Sequence, residues 1–364
     1  MTLRPRWRVP NAVIRAALML GGVVVLIPIL LAALGFDAEA GMLALFRGSL
    51  GSSYAIASGT LVRATPVILT GLSVALAFRA GVFNIGAEGQ LLAGAAAAAG
   101  ISLIPGVGSS YASSWIALLA GACAGGAWAG IAALLRARFR VLEVISTILL
   151  NFVALDLVGY LVRGPLQESQ HIYPQSATIA MAARLPRILP ASRLHAGFGI
   201  AIAAASVAWW ILRFTAAGFR LRAVGANPDA AQVAGEIDVV RTTSRAFILS
   251  GAIAGLAGAI ELTGVTFALY ENISPGYGYT GIAVALLARL DPLAVVASGM
   301  LFGALEAGAS AMQRDAGVPS VVVSIVEAMI ILGLIVAWPL EVGAASKPSE
   351  GVAPSESREP ELNT

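Results

Sequence analysis

The hydrophobic residues of this chain are gathered in ten apolar runs, and most polar residues lie in the segments between them. The first run, at 16–34, has nineteen residues. As a helix it reaches across the roughly 30 Å hydrocarbon core of a bilayer. The pattern predicts an all-α integral membrane protein with about ten transmembrane helices. The runs fall at about 16–34, 60–78, 88–104, 115–135, 141–162, 197–214, 246–267, 279–290, 292–312 and 318–338.

One of these runs, at 279–290, is too short to cross a bilayer alone. It follows a glycine- and tyrosine-rich segment, 276–279, and ends before Asp291-Pro292. Interrupted helices occur at membrane depth only where protein or a water-filled cavity covers the freed backbone groups. The sequence therefore predicts a broken helix that lines a polar cavity.

Glycine is abundant, with 40 residues in the chain. Pairs of small residues four positions apart let transmembrane helices approach closely. We expect such contacts at Gly126/Gly130, Gly251/Gly255 and Gly299/Gly303.

The composition supports a membrane protein and excludes several functions. Of 364 residues, 58% are hydrophobic and 12% are charged, against about 25% charged in soluble domains. The only lysine is Lys347, so a phosphate-binding loop of the G-x-x-x-x-G-K-[ST] type has no candidate lysine. Cys123 is the only cysteine, and His171 and His195 share one loop, so neither an intrachain disulfide nor a metal site is expected. The basic residues lie between apolar runs and do not form a nucleic-acid footprint.

The distribution of positive charge predicts the orientation, because cytoplasmic segments of membrane proteins are enriched in Arg and Lys. With the N-terminus in the cytoplasm, sixteen basic residues fall inside and seven outside. We expect a multi-pass protein of the bacterial inner (plasma) membrane, with both termini cytoplasmic and the loop 163–195 outside. The run at 16–34 is too long for a cleaved signal peptide. The tail 344–364, rich in Pro, Ser and Glu, is expected to be disordered.

The segment Phe83–Gln90 is the most informative one, because it places polar side chains between two apolar runs. Unsatisfied polar groups at such a place cost several kcal/mol each. One interpretation is that Asn84, Glu88 and Gln90 line a translocation path. The other is that they cap the broken helix and never meet a substrate.

Three further residues are candidates for the path. Tyr277 and Tyr279 have rings that can stack on a sugar or a base, although an interfacial aromatic belt explains them equally well. Asn151, one turn from Thr147, forms a polar strip whose default role is hydrogen bonding between helices. Five carboxylates lie inside the apolar runs, where a charge is costly unless it is paired or hydrated: Glu143, Asp156, Glu261, Glu306 and Glu327. We expect Glu143 and Glu261 near the cytoplasmic face. We expect Glu306 and Glu327 to share one hydrogen-bonding network.

The chain also contains a weak internal repeat. Residues 70–81 resemble residues 254–264, and each segment precedes a glycine-interrupted polar stretch. The predicted topology gives the two units opposite orientations. We therefore expect an inverted repeat within a transmembrane domain at 1–343, with repeat one at about 60–162 and repeat two at about 246–338. Chance similarity between Ala/Gly-rich helices is the alternative explanation.

A capped helix is predicted in the long cytoplasmic loop 215–243. Asn227 and Pro228 are a helix start, because Asn caps and Pro suits the first helical position, and Gly235 is a stop. A short helix with small residues suits docking into a groove on a partner, whereas a mere linker needs no capped helix. The candidate contacts are Gly225, Ala226, Asn227, Pro228, Ala230, Ala231 and Gly235.

Two segments resemble the permease subunits of bacterial ABC importers. Gly218–Gly235 is similar to their cytoplasmic coupling segment, and 65–90 resembles the nucleoside and simple-sugar branch of the group that also serves ribose and branched-chain amino acids. The resemblance implies a type II-like ABC importer permease. It also implies a second permease chain, ATPase subunits that hold ATP and Mg, and an extracytoplasmic substrate-binding lipoprotein. The residues Glu236-Ile237-Asp238 depart from the coupling pattern, in which an apolar residue and a small one follow the glycine.

The favoured interpretation is an ATP-driven importer permease that is not itself an enzyme and carries no cofactor of its own. No arginine lies in the middle of a run, which weakly favours a neutral nucleoside or sugar over an amino acid. The alternatives are a branched-chain amino acid ABC permease, an ion-coupled secondary transporter and a membrane scaffold. The capped cytoplasmic helix favours the importer, and the scattered carboxylates are what a secondary transporter would use.

Overall fold

The structure is a computed structural model that describes residues 25–110 and 112–319, together with 321, 322, 324, 325 and 328. This part of the chain is helical and contains no extended strand, only three isolated bridges. The helices are α1 (Ala38–Ser49), α2 (Leu61–Arg79), α3 (Ala87–Ser102), α4 (Ser113–Phe139), α5 (Glu143–Arg163), α6 (Gly197–Phe214), α7 (Ala216–Ala226), α8 (Pro228–Gly235), α9 (Val239–Glu261), α10 (Tyr277–Leu287) and α11 (Pro292–Asp315). A π-helical turn precedes α2 at Ala55–Thr60, and another follows α9 at Leu262–Thr266.

Six helices of the described part are long and apolar enough to span a membrane. They are α2 and α9, each with its π-helical turn, and α4, α5, α6 and α11. The predicted run at 279–290 corresponds to α10, which has only 11 residues, and the run at 88–104 corresponds to α3, which has 16. Of the run at 16–34, residues 25–34 are described, and 25–33 are helical. Most of the run at 318–338 lies outside the described residues, as do Glu327 and the tail 344–364.

Several helix starts are fixed by side chains that cap free backbone amides. Asp291 Oδ1 accepts hydrogen bonds from the amides of Leu293 and Ala294, 3.0 and 3.1 Å away, at the start of α11. Asp238 does the same for Arg241 at the start of α9, at 2.8 Å. Such caps satisfy amides that have no partner within their own helix.

The centre of the molecule is a tight stack of α3, α4 and α9. The backbone of Gly255 lies directly against Gly94 of α3 and against Gly121 and Gly125 of α4. Gly251 also packs on the backbone of Gly125. The close approach expected at Gly251/Gly255 is confirmed, because a Cβ at either position would enter the neighbouring helix.

Among the carboxylates inside the apolar runs, Glu261 lies at a different place from the one expected. Glu261 is the last residue of α9, at the end farthest from α8, whereas Glu143 begins α5 on the side of α8, so the expectation that both lie near one face is wrong. Glu261 is 4% exposed. Glu306 lies 3.9 Å from Arg63 Nε in an ion pair whose side chains remain about 30% exposed.

The loop between α5 and α6 packs across the helix ends on the side away from α8. Its backbone bonds to that of the π-helical turn and the following residues, through Leu185 to Thr263 and Ile179 to Phe267. His195 is 1% exposed and rests against Gly197 and Gly264. Burial, with the charge of Arg193 nearby, lowers the pKa of His195 to about 4.

Candidate functional site

The amides of Asn84 and Gln90 form a buried reciprocal pair. Each donates to the other at 2.9 Å, and both residues are at most 1% exposed. Asn84 also donates to Ser250 Oγ at 2.8 Å and accepts from the amide of Gly86 at 2.9 Å. Ser250 in turn bonds to Ser73 of α2, so the segment before α3 is tied to both α2 and α9. Asn84 and Gln90 therefore hold the broken segment in place, and their polar atoms are engaged by protein.

Glu88 joins the first turns of α3 and α10. Its Oε2 accepts a hydrogen bond from the amide of Gly278 at 2.7 Å, and the hydroxyl of Ser274 donates to the same carboxylate. Gly278 is required here, because a Cβ would fall on the backbone of Ala87 and Glu88. Helix N-termini carry partial positive charge, so a carboxylate between two of them is well placed. Glu88 thus caps a helix, though mainly α10 rather than its own.

Asn151 of α5 is the third polar residue brought to this point. Its Oδ1 accepts from the amide of Gly89 at 2.8 Å, and its Nδ2 donates to the carbonyl of Ile85 at 3.0 Å. Nδ2 also donates to the hydroxyl of Tyr279 at 3.2 Å. One side chain therefore links α5, the start of α3 and the start of α10.

The two candidate tyrosines have different surroundings. Tyr277 is 7% exposed and belongs to the main hydrophobic core, so its ring is covered by protein in this conformation. Tyr279 is 46% exposed. Of the two rings, that of Tyr279 has a face available for stacking, and it lies beside Asn151.

The helix predicted in the cytoplasmic loop is present as α8. Asn227 Oδ1 caps it by accepting from the amide of Ala230 at 3.0 Å, and Pro228 occupies the first turn. The helix ends with Gly235, and the left-handed residue is Glu236, with φ 47°. Ile237, in the segment that departs from the coupling pattern, packs with Val224 and Ala231 in a small apolar cluster.

The candidate contact residues of α7 and α8 do not all face outward. Ala231 is 7% exposed and packs in the apolar cluster with Val224 and Ile237. Pro228 and Ala230 are exposed, and so is Val233, at 86%. The free surface of α8 therefore centres on Val233, which the sequence interpretation did not single out.

Gly225 of α7 lies against the end of α2 and the turn that follows it. A Cβ on Gly225 would overlap the carbonyl of Arg79, and Gly81, at φ +72°, lies against the Gly225 backbone. Arg79 Nε also donates to the carbonyl of Leu290, at the turn after α10, at 2.7 Å. Thus α7, the end of α2 and the end of α10 meet at one place. Gly81, in this contact, lies two residues before the segment Phe83–Gln90 that carries Asn84.

Sequence reasoning missed the serines that complete this network. Ser250 of α9 accepts from Asn84 and bonds to Ser73 of α2, and Ser274, before α10, supplies a hydroxyl to Glu88. A serine inside an apolar run is common in helix packing and carries no distinctive signal. In the described residues no group of three or more His, Cys, Asp or Glu forms a metal-binding cluster.

The six long apolar helices, the two short helices α3 and α10 joined head to head and the capped helix α8 are typical of an integral membrane transport protein. A family model described as "Branched-chain amino acid transport system / permease component" matches residues 56–337. The chain belongs to this family of permeases.

Characterised relatives cover most of the chain. The guanosine ABC transporter permease protein NupP of Bacillus subtilis is 42% identical over 302 residues, covering 82% of this chain and 86% of NupP. The glucose ABC transporter permease protein TsgB13 of Haloferax volcanii is 38% identical over 341 residues, covering 90% and 86%. The nucleoside ABC transporter permease protein NupB of Lactococcus lactis is 32% identical and covers 92% of each chain. No solved structure matches this chain.

Proposed function

We propose that this chain is the permease subunit of an ATP-driven importer for nucleosides or simple sugars. The relatives named above carry guanosine, glucose or nucleosides according to their names, which supports this class over the amino acids of the family description. The observation that carries the proposal is the junction of α3 and α10 around Glu88, Asn151 and Tyr279.

This junction has the position expected of a substrate site in a transporter. The 11 residues of α10 extend about 16 Å from the Arg79 contact at the cytoplasmic end, roughly half of a 30 Å hydrocarbon core. Transporters built from inverted repeats bind substrate near the midplane, between the N-termini of discontinuous helices. The head-to-head contact of α3 and α10 supports an inverted repeat of a type II-like importer permease.

The chemistry around the junction suits a neutral, hydrogen-bonding solute. Asn151 offers an amide, and Tyr279 offers an exposed ring and a hydroxyl. The carboxylate of Glu88 is engaged by Gly278 and Ser274. A nucleoside or sugar needs hydrogen bonds and an aromatic face, whereas an amino acid brings an ammonium and a carboxylate that each require a partner.

The contact at Gly225 supplies a route from ATP hydrolysis to the site. In this mechanism an ATPase subunit docks on the exposed face of α8 and moves α7 with it. Since Gly225 lies against Arg79 and Gly81, the motion reaches the end of α2 and the segment that carries Asn84. The broken helices then open the path alternately to each side. ATP and Mg are held by the partner, and this chain provides the path.

Further partners follow from the same assignment. Asp156 is exposed thirteen positions after Glu143, the first residue of α5, well inside this span. A carboxylate facing hydrocarbon is costly, so this face is suited to a second permease chain. An extracytoplasmic binding lipoprotein would deliver the solute, and the termini of this chain would lie in the cytoplasm of the bacterial inner membrane.

Uptake of labelled guanosine, glucose and leucine by cells that express the complete transporter tests the proposal. We expect guanosine or glucose uptake that stops when the ATPase subunit carries an inactive nucleotide site. The variant Tyr279→Leu should raise the KM for uptake about tenfold, since stacking on an aromatic ring contributes about 1–3 kcal/mol per base.

Tyr279→Phe is the matched control for stacking, because it keeps the ring and removes only the hydroxyl, and it should retain most uptake. Leucine as the transported solute would support the amino acid alternative. Uptake that continues without ATP hydrolysis and follows an ion gradient would identify a secondary transporter instead.

A further inference from the structure

A cavity of about 270 Å³ lies between the end of α4 and the start of α9, apart from the polar junction. Its rim carries Arg136 and Arg140 from α4, and Ser244 contributes a hydroxyl from α9. Its floor is apolar, with Phe247 only 1% exposed. The remaining lining residues are Ala133, Ala137, Val239, Val240 and Thr243.

The cavity lies at the depth of lipid headgroups. Helix α4 has 27 residues and is about 40 Å long, which exceeds the roughly 30 Å hydrocarbon core by about 10 Å. Arg136 is in the last turn of α4, and Val239 is the first residue of α9. Both helix ends are on the side of α8, so the cavity opens into the headgroup layer of the leaflet that faces α8.

The charge of the rim is positive. Arg136 Nε lies 3.5 Å from Glu143 Oε2, and Arg140 forms no ion pair with any described residue. Two arginines and one glutamate leave a net charge of +1 at the cavity. Arg241 and Arg245 are exposed on the first turns of α9 and outnumber Asp238 at its N-terminus, so the potential stays positive.

We propose that this cavity binds the headgroup of an anionic phospholipid from the leaflet that faces α8. The arginines and the Ser244 hydroxyl would hold the phosphate, while Phe247 and Val240 contact the glycerol and the upper acyl chain. A free phosphate shares the anionic part of this chemistry but has no use for the apolar floor. Basic pockets between transmembrane helices on the cytoplasmic side bind anionic headgroups.

Such a site would connect the lipid composition of the membrane to the coupling between the ATPase subunit and transport. Asp238 and Val239 begin α9 only a few residues after α8 ends. A lipid held between α4 and α9 would fix the start of α9, and with it the position of α8. The inference needs only the membrane placement of the chain and is independent of which solute is carried.

The test uses the purified full-length chain in lipid nanodiscs that contain phosphatidylcholine with or without a quarter of phosphatidylglycerol. Native mass spectrometry counts the phosphatidylglycerol molecules retained after release from the discs. We expect Arg140→Gln to lower retention about fivefold, the effect of one basic residue near an anionic surface. Arg136→Gln should act similarly, and Arg138→Gln, which removes an arginine of the same segment outside the cavity, should not.

A second variant separates shape from charge. Ala137→Phe fills the cavity and leaves both arginines in place, so retention should fall although the charge is unchanged. Glycerol phosphate added at millimolar concentration distinguishes a soluble anion from a lipid, since it should displace little phosphatidylglycerol.

Three results would overturn the inference. Equal losses in Arg138→Gln and Arg140→Gln would indicate diffuse surface electrostatics. Unchanged retention in both Arg140→Gln and Ala137→Phe would show that the cavity holds no lipid. Full displacement by glycerol phosphate would assign the cavity to a soluble anion.

Discussion

The carboxylate of Glu88 accepts a hydrogen bond of 2.7 Å from the amide of Gly278, which lies 190 residues later in the chain. This bond joins the N-termini of α3 and α10, two apolar helices too short to be among the six long spans of the described part. An acidic side chain in the first turn of α3 therefore caps the start of α10, inside the hydrophobic region of the protein. The arrangement makes Glu88 a positioning residue for Asn151 and Tyr279.

The first prediction separates the shape of Glu88 from its charge. Glu88→Gln keeps an oxygen that can accept from Gly278, so we expect it to retain most of its membrane abundance and uptake. Glu88→Ala leaves that amide unpaired and should destabilise the protein by about 1–3 kcal/mol, with lower abundance. Thermal unfolding and uptake normalised to abundance measure both effects. An abundant but inactive Glu88→Gln would mean that the charge itself acts in transport.

The apolar runs were sufficient to predict the long helices, because a membrane span requires about twenty apolar residues whatever its partners. The polar segment at 83–90 and the capped helix α8 were also predictable from local chemistry. The partners of Glu88 and Asn84 were not, since Gly278 and Ser250 approach only through the packing of α9 and α10. The inward orientation of Ala231 depends likewise on an apolar cluster formed in three dimensions.

The second prediction concerns pH and His195. Its pKa falls from 6.5 to about 4 in the folded protein, so the unfolded chain binds a proton that the folded one does not. The contribution of His195 to the free energy of unfolding is therefore complete above about pH 6.5, and it is lost as the pH falls from 6.5 towards 4. The loss is on the order of 3 kcal/mol, from 1.36 kcal/mol per pKa unit.

Thermal unfolding between pH 7.5 and 4 measures this effect. His195→Asn keeps an oxygen that can replace Nδ1 as acceptor for the amide of Gly197, at 3.2 Å in the native protein. We expect this variant to show a flatter pH profile. His171→Gln is the control, because His171 is exposed and should leave the profile unchanged. Identical profiles for His195→Asn and the unmodified chain would contradict the prediction.

The third prediction tests the docking face of α8. Val233 is 86% exposed, so Val233→Glu should change the free energy of unfolding by less than about 0.5 kcal/mol. If an ATPase subunit covers this face, the variant buries an unpaired charge at the interface. We expect normal membrane abundance with loss of ATPase in co-purification, whereas Val233→Thr should retain it. Full retention of the ATPase by Val233→Glu would place the docking surface elsewhere.

The last prediction addresses the contact between Gly225 of α7 and the end of α2. Gly225→Ala adds one methyl group directly against the carbonyl of Arg79, a backbone atom that a side-chain rotation cannot clear. We expect α7 to shift away from α2, at a cost of about 1–3 kcal/mol. Uptake should then fall while ATP hydrolysis by the assembled transporter continues, because the motion no longer reaches Gly81 and Asn84.

Gly199→Ala is the matched control, since nothing lies within 4 Å of its added Cβ. Measuring hydrolysis and uptake on the same reconstituted preparation gives their ratio. An unchanged ratio in Gly225→Ala would show that the contact with Arg79 does not transmit the motion.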